Sequence, residues 1–263
     1  MSAEGKDWFR ELVEVMRRLR GENGCPWDRK QTHTSLRTYL LEETYEVLDA
    51  LDREDYESLC EELGDLILQV VFHAQIACEE GRFCIDDVCR GVVLKLIHRH
   101  PHVFGDAHAE TPEEVMEHWE RLKAREANHR GSVLKGIPDS MPALLQAYRL
   151  QEKASRVGFD WNEIAPVWEK VNEEWNELRE AVECGERSRI SHELGDLLFA
   201  ITNLARFLGV DPEAALRECN KRFKRRFEHV ERRAEEEGLA MEETPLERLD
   251  LFWEEAKREE GGE

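Results

Sequence analysis

The sequence predicts an all-α protein built as two tandem copies of one four- to five-helix unit. Apolar residues recur at three- and four-residue spacing along most of the chain, and no stretch combines strict alternation with Val, Ile, Thr and aromatic side chains. A set of acidic motifs recurs in the same order 131 residues further on. Between the copies, Asn128 to Pro142 (NHRGSVLKGIPDSMP) concentrates Gly, Pro and Ser, as a linker does. The expected organisation is a first unit over residues 1–128, a linker over 129–142 and a second unit over 143–263.

Taken in order, the first helix is expected from about Asp7 to Arg20, ended by Gly21 and followed by the loop GENGCPWDRKQTHTS. Ser35 or Thr34 caps the next helix, which carries Glu42, Glu43 and Glu46. After a turn near Asp52 to Asp55, a long helix carries Glu62 and Asp65 to about Glu80, where Gly81 ends it. A helix from Ile85 to Arg99 stops before Pro101 and puts Lys95 and Arg99 on one face. Thr111 and Pro112 open a helix to Lys123 that includes Trp119. Beyond the linker the pattern restarts with VNEEWNEL and HELGDLL.

Glu43 and Glu46 are spaced i, i+3, as are Glu62 and Asp65, so each pair shares a helix face about one turn apart. The pairs are mirror-related about Glu54, so a hairpin there sets Glu43 against Asp65 and Glu46 against Glu62. In the second copy Glu174, Glu177, Glu193 and Asp196 are mirror-related about Gly185, a residue suited to a turn. Four carboxylates gathered in a small volume repel one another unless a cation sits among them, and an all-oxygen set suits Mg²⁺, with Mn²⁺ as a substitute, better than Zn²⁺. An acidic helix face is ordinary in a chain that is 36% charged; its recurrence in register makes these two a metal-site expectation.

Basic and aromatic residues repeat as well. Lys95 and Arg99 match Arg222 and Arg226, and Trp119-Glu120-x-x-Lys123 matches Trp253-Glu254-x-x-Lys257. A carboxylate-held cation beside a basic pair and a Trp suits a nucleotide phosphoanhydride: the cation and basic pair take the phosphates, and the aromatic stacks on the base. Lys95, Arg99, Trp119, Lys123, Arg222, Arg226, Trp253 and Lys257 are therefore the expected substrate-binding residues. Glu42 and Glu173, the spare carboxylates, are expected to orient or deprotonate the attacking water. No Gly-x-x-x-x-Gly-Lys-Ser/Thr loop is present, which excludes P-loop chemistry. In HRHPH the proline interrupts His98, His100 and His102, against a zinc cluster.

With 58 acidic against 37 basic residues the net charge is −21, which disfavours nucleic acid or an anionic membrane as partner. The apolar runs near Leu66 to Ala77 and Leu197 to Ala205 are broken by Gln69, His73 and Asn203, so no membrane span is expected. The first twenty residues read as an amphipathic helix rather than a signal peptide, and the expected location is cytoplasmic. Cys25, Cys60, Cys78, Cys84, Cys89, Cys184 and Cys219 form no Cys-x-x-Cys pair and are expected to be reduced, mostly buried thiols.

EETYE followed by EELGDLILQVVFHAQIA, the GCPWDRKQTH loop, KLIHRHPHVFGD, the stretch GSVLKGIPDSMPALLQAYRLQEKASRVGFDW, and EEWNE followed by HELGDLLFAITNLARFLG together resemble the MazG family of nucleoside triphosphate pyrophosphohydrolases over nearly the whole chain. The resemblance implies two MazG-type helical-bundle domains, homodimerisation, and Mg²⁺-dependent cleavage of NTPs and dNTPs to NMPs or dNMPs and pyrophosphate with broad base specificity. A housecleaning or nucleotide-signalling role is also implied. It carries metal-binding roles to Glu43, Glu46, Glu62 and Asp65 and to Glu174, Glu177, Glu193 and Asp196, and substrate roles to Arg222, Arg226 and Trp253. It further implies that the carboxy-terminal copy dominates. Some relatives have Lys at the position of Arg222, where Arg brings a planar fork. The alternative expectation is a helical nucleotide-responsive binding protein with inactive sites.

Overall fold

The computed structural model describes residues 6–109, 111, 114–115 and 132–260. Contacts between Cα atoms divide the chain into two compact units, Met1–Lys123 and Ala124–Glu263. The described residues are helical, with no strand among them.

In the first unit α1 (Trp8–Arg20) starts where Asp7 accepts from the Arg10 amide at 3.0 Å, and carries Arg17, Arg18 and Arg20 in its last turn, where cations offset the helix dipole. The loop after it contains a short helix not anticipated from sequence, α2 (Pro26–Lys30), with Pro26 at its first position. The expected Ser35 or Thr34 cap is corrected: α3 (Arg37–Asp52) begins after Leu36 with no side-chain cap. The Ser35 and Thr32 hydroxyls instead accept from each other's backbone amides, at 2.9 and 3.1 Å respectively, which uses them in the preceding turn.

Between α3 and α4 (Tyr56–Glu79) the chain reverses through Glu54, a non-glycine residue at φ 54°, and Asp55 caps α4 through the Ser58 amide. Gly81, at φ 68°, turns the chain into α5 (Ile85–Arg99), and Pro101 opens a further short helix, α6 (Pro101–Phe104). α1 packs on α4, α3 pairs with α4, and Met16, Leu36, Val71, Phe72 and Ile76 form the core. Thr111 caps the Glu114 amide at 3.2 Å, as expected of a helix start; the remainder of that helix, with Trp119 and Lys123, lies outside the described residues.

In the second unit α7 (Ala143–Ser155) starts directly after Pro142. α8 (Ala165–Cys184) and α9 (Arg187–Phe207) form a hairpin reversed by Gly185 at φ 71°. α10 (Pro212–Glu236) is capped by Asp211 and opened by Pro212, and α11 (Leu246–Glu260) packs along it. α7 lies against α9 and α10. Phe252, Val230 and Ala234 form a core that Trp253 flanks.

The cysteine expectation is overturned. Cys78 and Cys84 form a disulfide across the Gly81 turn, with Cα atoms 4.6 Å apart. Their six-residue separation joins the end of one helix to the start of the next, a juxtaposition that the turn creates. The free cysteines are not buried either: Cys60, Cys184 and Cys219 are exposed, and Cys25 and Cys89 are half-buried.

Candidate active site

Each helix hairpin gathers ionisable side chains in threes, all carboxylates except for one histidine. In the first unit, oxygens of Glu43, Glu62 and Asp65, all half-buried, lie within 4.8 Å of one another. Glu46 is exposed and lies outside this group of three, although its charge acts on Glu43. Partial burial, followed by the charges of Asp65, Glu46 and Glu62, pushes the Glu43 carboxyl above its usual range; burial and the charges of Glu46, Glu61 and Asp65 do the same to Glu62. Glu42 is exposed and outside the group.

In the second unit two such groups share Glu193: Glu174 with Glu177 and Glu193, and His192 with Glu193 and Asp196. Here cationic side chains stand among the acids. Lys170 reaches Glu174 at 2.8 Å and Glu173 at 2.9 Å, and its ammonium is held well above the ordinary lysine range, first by Glu174 and then by Glu173. His192 Nδ1 lies 2.9 Å from Asp196, and Arg189 3.6 Å from Glu193. Glu174 is 6% exposed, and its Oε2 is buried without a hydrogen-bond partner. Burial and the charges of Glu174, Glu193 and Glu173 raise the Glu177 carboxyl. Glu173 is exposed, beside Lys170.

These donor sets fit a hard divalent cation. They are oxygen-rich and mutually repelling, they converge within ligand distance of a common point, and in Glu174 one buried carboxylate oxygen has nothing to bond.

Glu174 and Asp196 also form part of the wall of a cavity of about 540 Å³ within the second unit, between α7, α8 and α9. That volume is in the range of small-molecule sites. Lys170, Arg206 and Trp161 line it too, and none of the three was singled out from sequence as a site residue. Lys170 sits three residues before Glu173 and could have been found by its spacing; Arg206 and Trp161 reach the cavity through packing alone.

The expected basic and aromatic residues are elsewhere on the described surface. Lys95 is exposed and Arg99 half-buried on α5. Arg222 is half-buried on α10, and Arg226 binds Glu260 at 2.7 Å and lies over the Trp253 ring at 5.7 Å. Trp253 packs on Phe223 at 5.2 Å, and Lys257 pairs with Glu254 at 2.8 Å. The structure thus brings Arg226 and Trp253 together, while the cavity beside the carboxylates is lined by neither. Among the described residues no histidine-only group converges on a cation.

Residues 31–104 and 165–231 each match the model of the MazG nucleotide pyrophosphohydrolase domain. The chain is 51% identical over 250 residues to a Thermotoga maritima protein named nucleoside triphosphate pyrophosphohydrolase/pyrophosphatase MazG, covering 95% of each. It is 48% identical over 256 residues to an Escherichia coli K12 nucleoside triphosphate pyrophosphohydrolase, covering 95% of this chain and 97% of that one. A Bacillus subtilis protein named uncharacterized protein YabN is 46% identical over 96% of this chain and 52% of its own length.

Proposed function

The chain belongs to the MazG nucleotide pyrophosphohydrolase family, and from that membership we propose that it hydrolyses nucleoside triphosphates to the monophosphate and pyrophosphate with Mg²⁺ held by its acidic helix hairpins. The single observation that carries this reading is the Glu174, Glu177 and Glu193 group beside a cavity that Glu174 and Asp196 help to wall and that also receives Lys170 and Arg206.

In the second unit Glu174, Glu177, Glu193 and Asp196 would hold the cation, and in the first Glu43, Glu46, Glu62 and Asp65 would do so. When bound, Mg²⁺ would neutralise and orient the phosphate oxygens; Mn²⁺ could substitute. Lys170 and Arg206 place positive charge at the same cavity, where the triphosphate's remaining charge needs it. Glu173, exposed next to Lys170, would accept a proton from water attacking the α-phosphorus, and Glu42 would be its counterpart in the first unit. Arg222, Arg226, Trp253 and Lys257 would serve substrate from the α10–α11 side, and Lys95 and Arg99 would do so in the first unit.

We infer further that the protein works as a homodimer in the cytoplasm, with neither nucleic acid nor membrane as partner. α9 carries Leu194, Leu198 and Ile201 at 46%, 46% and 44% exposure, one stripe at helical spacing that a second copy would cover. The net charge of −21 opposes polyanion binding, and no helix among the described residues is long and apolar enough to cross a membrane. Acceptance of many NTPs and dNTPs, and a housecleaning or signalling role, belong to the same reading.

The test is product analysis with Mg²⁺ on purified protein, across ribo- and deoxyribonucleoside triphosphates, beside Glu193→Gln and Glu62→Gln. Monophosphate and pyrophosphate are expected, with Glu193→Gln reducing the rate by about a hundredfold or more. Diphosphate and orthophosphate as products would sink the proposal. Binding without turnover would favour a nucleotide-responsive regulatory protein instead.

A further inference from the structure

The Cys78–Cys84 bond has no part in the hydrolytic reading, yet it sits where the first unit's two longest-range requirements meet, at the tip of the α4–α5 hairpin. Cys78 lies in the last turn of α4, Cys84 immediately precedes α5, and Gly81 reverses the chain between them at φ 68°. Cys78 is exposed and Cys84 half-buried. An incoming thiolate therefore reaches the Cys78 sulfur from solvent, with Cys84 as the leaving sulfur. In the cytoplasm proposed above, a paired thiol of this kind is a redox-responsive element, because the thiol pool of that compartment keeps permanent disulfides rare.

What the bond holds is visible by comparison with the second unit. There Gly209, at φ 69°, reverses the α9–α10 turn, and α10 starts on Asp211, whose carboxylate accepts from the Ala214 amide at 3.0 Å. In the first unit the residue before the helix is Cys84, and its sulfur is engaged with Cys78. The Cys84 amide donates to Asp87 at 3.1 Å, a contact inside the first turn of α5 that does not reach α4. α10 buries Pro212, His229, Val230 and Ala234, whereas α5 has no buried residue. Ile85, at the start of α5, is partly buried against the Met16, Leu36, Val71, Phe72 and Ile76 core. Most helical stability in a folded protein comes from packing of one face, so a helix with so little buried is held at its start by Ile85 and by the covalent link.

We propose that Cys78–Cys84 is a reversible oxidation site that clamps α5 to α4 when oxidised and releases it when reduced. The reductant is a dithiol. Its thiolate attacks the Cys78 sulfur, the S–S bond breaks with the electron pair leaving on Cys84, and Cys84 takes up a proton. The second thiol of the reductant then displaces Cys78 from the mixed disulfide. Two electrons and two protons pass to the cysteines, and the reductant becomes a cyclic disulfide. A disulfide oxidant runs the exchange the other way and leaves as two thiols.

α5 carries Lys95 and Arg99, and α4 carries Glu62 and Asp65. The clamp thereby sets how the expected phosphate-binding cations of the first unit stand to its carboxylates. That use rests on the hydrolytic reading; the redox site itself does not.

The experiment takes full-length protein, without denaturant, through oxidised glutathione, then dithiothreitol, then oxidised glutathione again. Alkylation and peptide mass mapping are expected to find Cys78 and Cys84 linked to each other in the first and third states and alkylated in the second. Hydrogen–deuterium exchange in α5 is expected to speed up by about tenfold to fortyfold in the second state, the factor that opening a short covalent loop allows, and to slow again in the third. Cys84→Ser should exchange like the reduced protein throughout and respond to neither reagent. Failure of the two cysteines to link in oxidised glutathione overturns the proposal, as does a bond that dithiothreitol leaves closed. Unchanged α5 exchange when the bond opens overturns it too. Neither readout involves triphosphate turnover, so failure of the hydrolytic reading shows separately, in product analysis.

Discussion

Replacing Lys170 by methionine removes the counter-charge of a nearly buried carboxylate, and the consequence can be worked out. The Lys170 ammonium lies 2.8 Å from Glu174, whose side chain is 7% exposed, whereas that of Lys170 is 38% exposed. At this distance the attraction is about 6 kcal/mol with an effective dielectric constant of about 20. Screening at the half-open lysine and the hydration lost by both ions reduce the net to about 2–3 kcal/mol. The lysine pKa is raised in the folded state, so this contribution is complete below the ordinary lysine value of about 10.4 and fades only as pH rises above it.

In neutral buffer with a chelator, Lys170→Met is therefore expected to lower the melting temperature of the second unit by about 4–12 °C, at about 2–4 °C per kcal/mol. Saturating Mg²⁺ supplies a replacement cation; at a hundred times its dissociation constant it restores about 2.7 kcal/mol. Thermal unfolding by circular dichroism, with and without Mg²⁺, checks both steps. An unchanged melting temperature in chelator, or a deficit that Mg²⁺ leaves intact, would refute the picture of Lys170 and the cation as two positive charges that both offset Glu174.

Two further outcomes follow from the hairpins. Glu43, Glu62 and Glu177 have raised carboxyl pKa values, so without metal each of these three favours folding more as pH falls through its titration range, and replacing Glu43 by Gln should remove its share of that pH dependence. Mg²⁺ needs the ionised forms, so its stabilising shift in melting temperature should shrink as pH falls into the carboxylate titration range; a pH-independent shift would exclude these carboxylates as ligands. Gly185→Ala should cost about 1 kcal/mol in urea unfolding, because φ is 71° while an added Cβ meets nothing within 4 Å. Glu54→Gly, at φ 54°, should gain up to about 1 kcal/mol from the same term, and a loss there would show that the Glu54 side chain stabilises the turn by other means.

Much of the site was legible because its signals are local. Carboxylates at i, i+3 share a helix face wherever the helix packs, and the mirror centres Glu54 and Gly185 fall at the two reversals, both left-handed. Other features were not legible, for specific reasons. Ser35 was read as a cap because serine favours that position, but its hydroxyl is used by Thr32. Cys78 and Cys84 carry no pairing signal until Gly81 folds the chain back between them. Asn203 looked like an interruption of an apolar run, and its face became visible only when α7 packed on α9.

The sequence by itself determined the helical class, the duplication, the hairpins and the i, i+3 pairing of the carboxylates along them, because each depends on spacing along a helix that neighbouring elements do not alter. Only the tertiary structure decided which charges meet. Lys170 among the second unit's acids follows from its own helix, but the cavity of Gln151, Asn203, Arg206 and Trp161 follows from packing between segments up to 55 residues apart in sequence, as Gln151 and Arg206 are. Phe72 and Asn203 occupy one register position in two nearly repeated sequences, and packing fills the first with core while leaving the second facing a cavity. That difference separates the two copies physically, since a buried aromatic ring excludes what an amide beside open volume can bind.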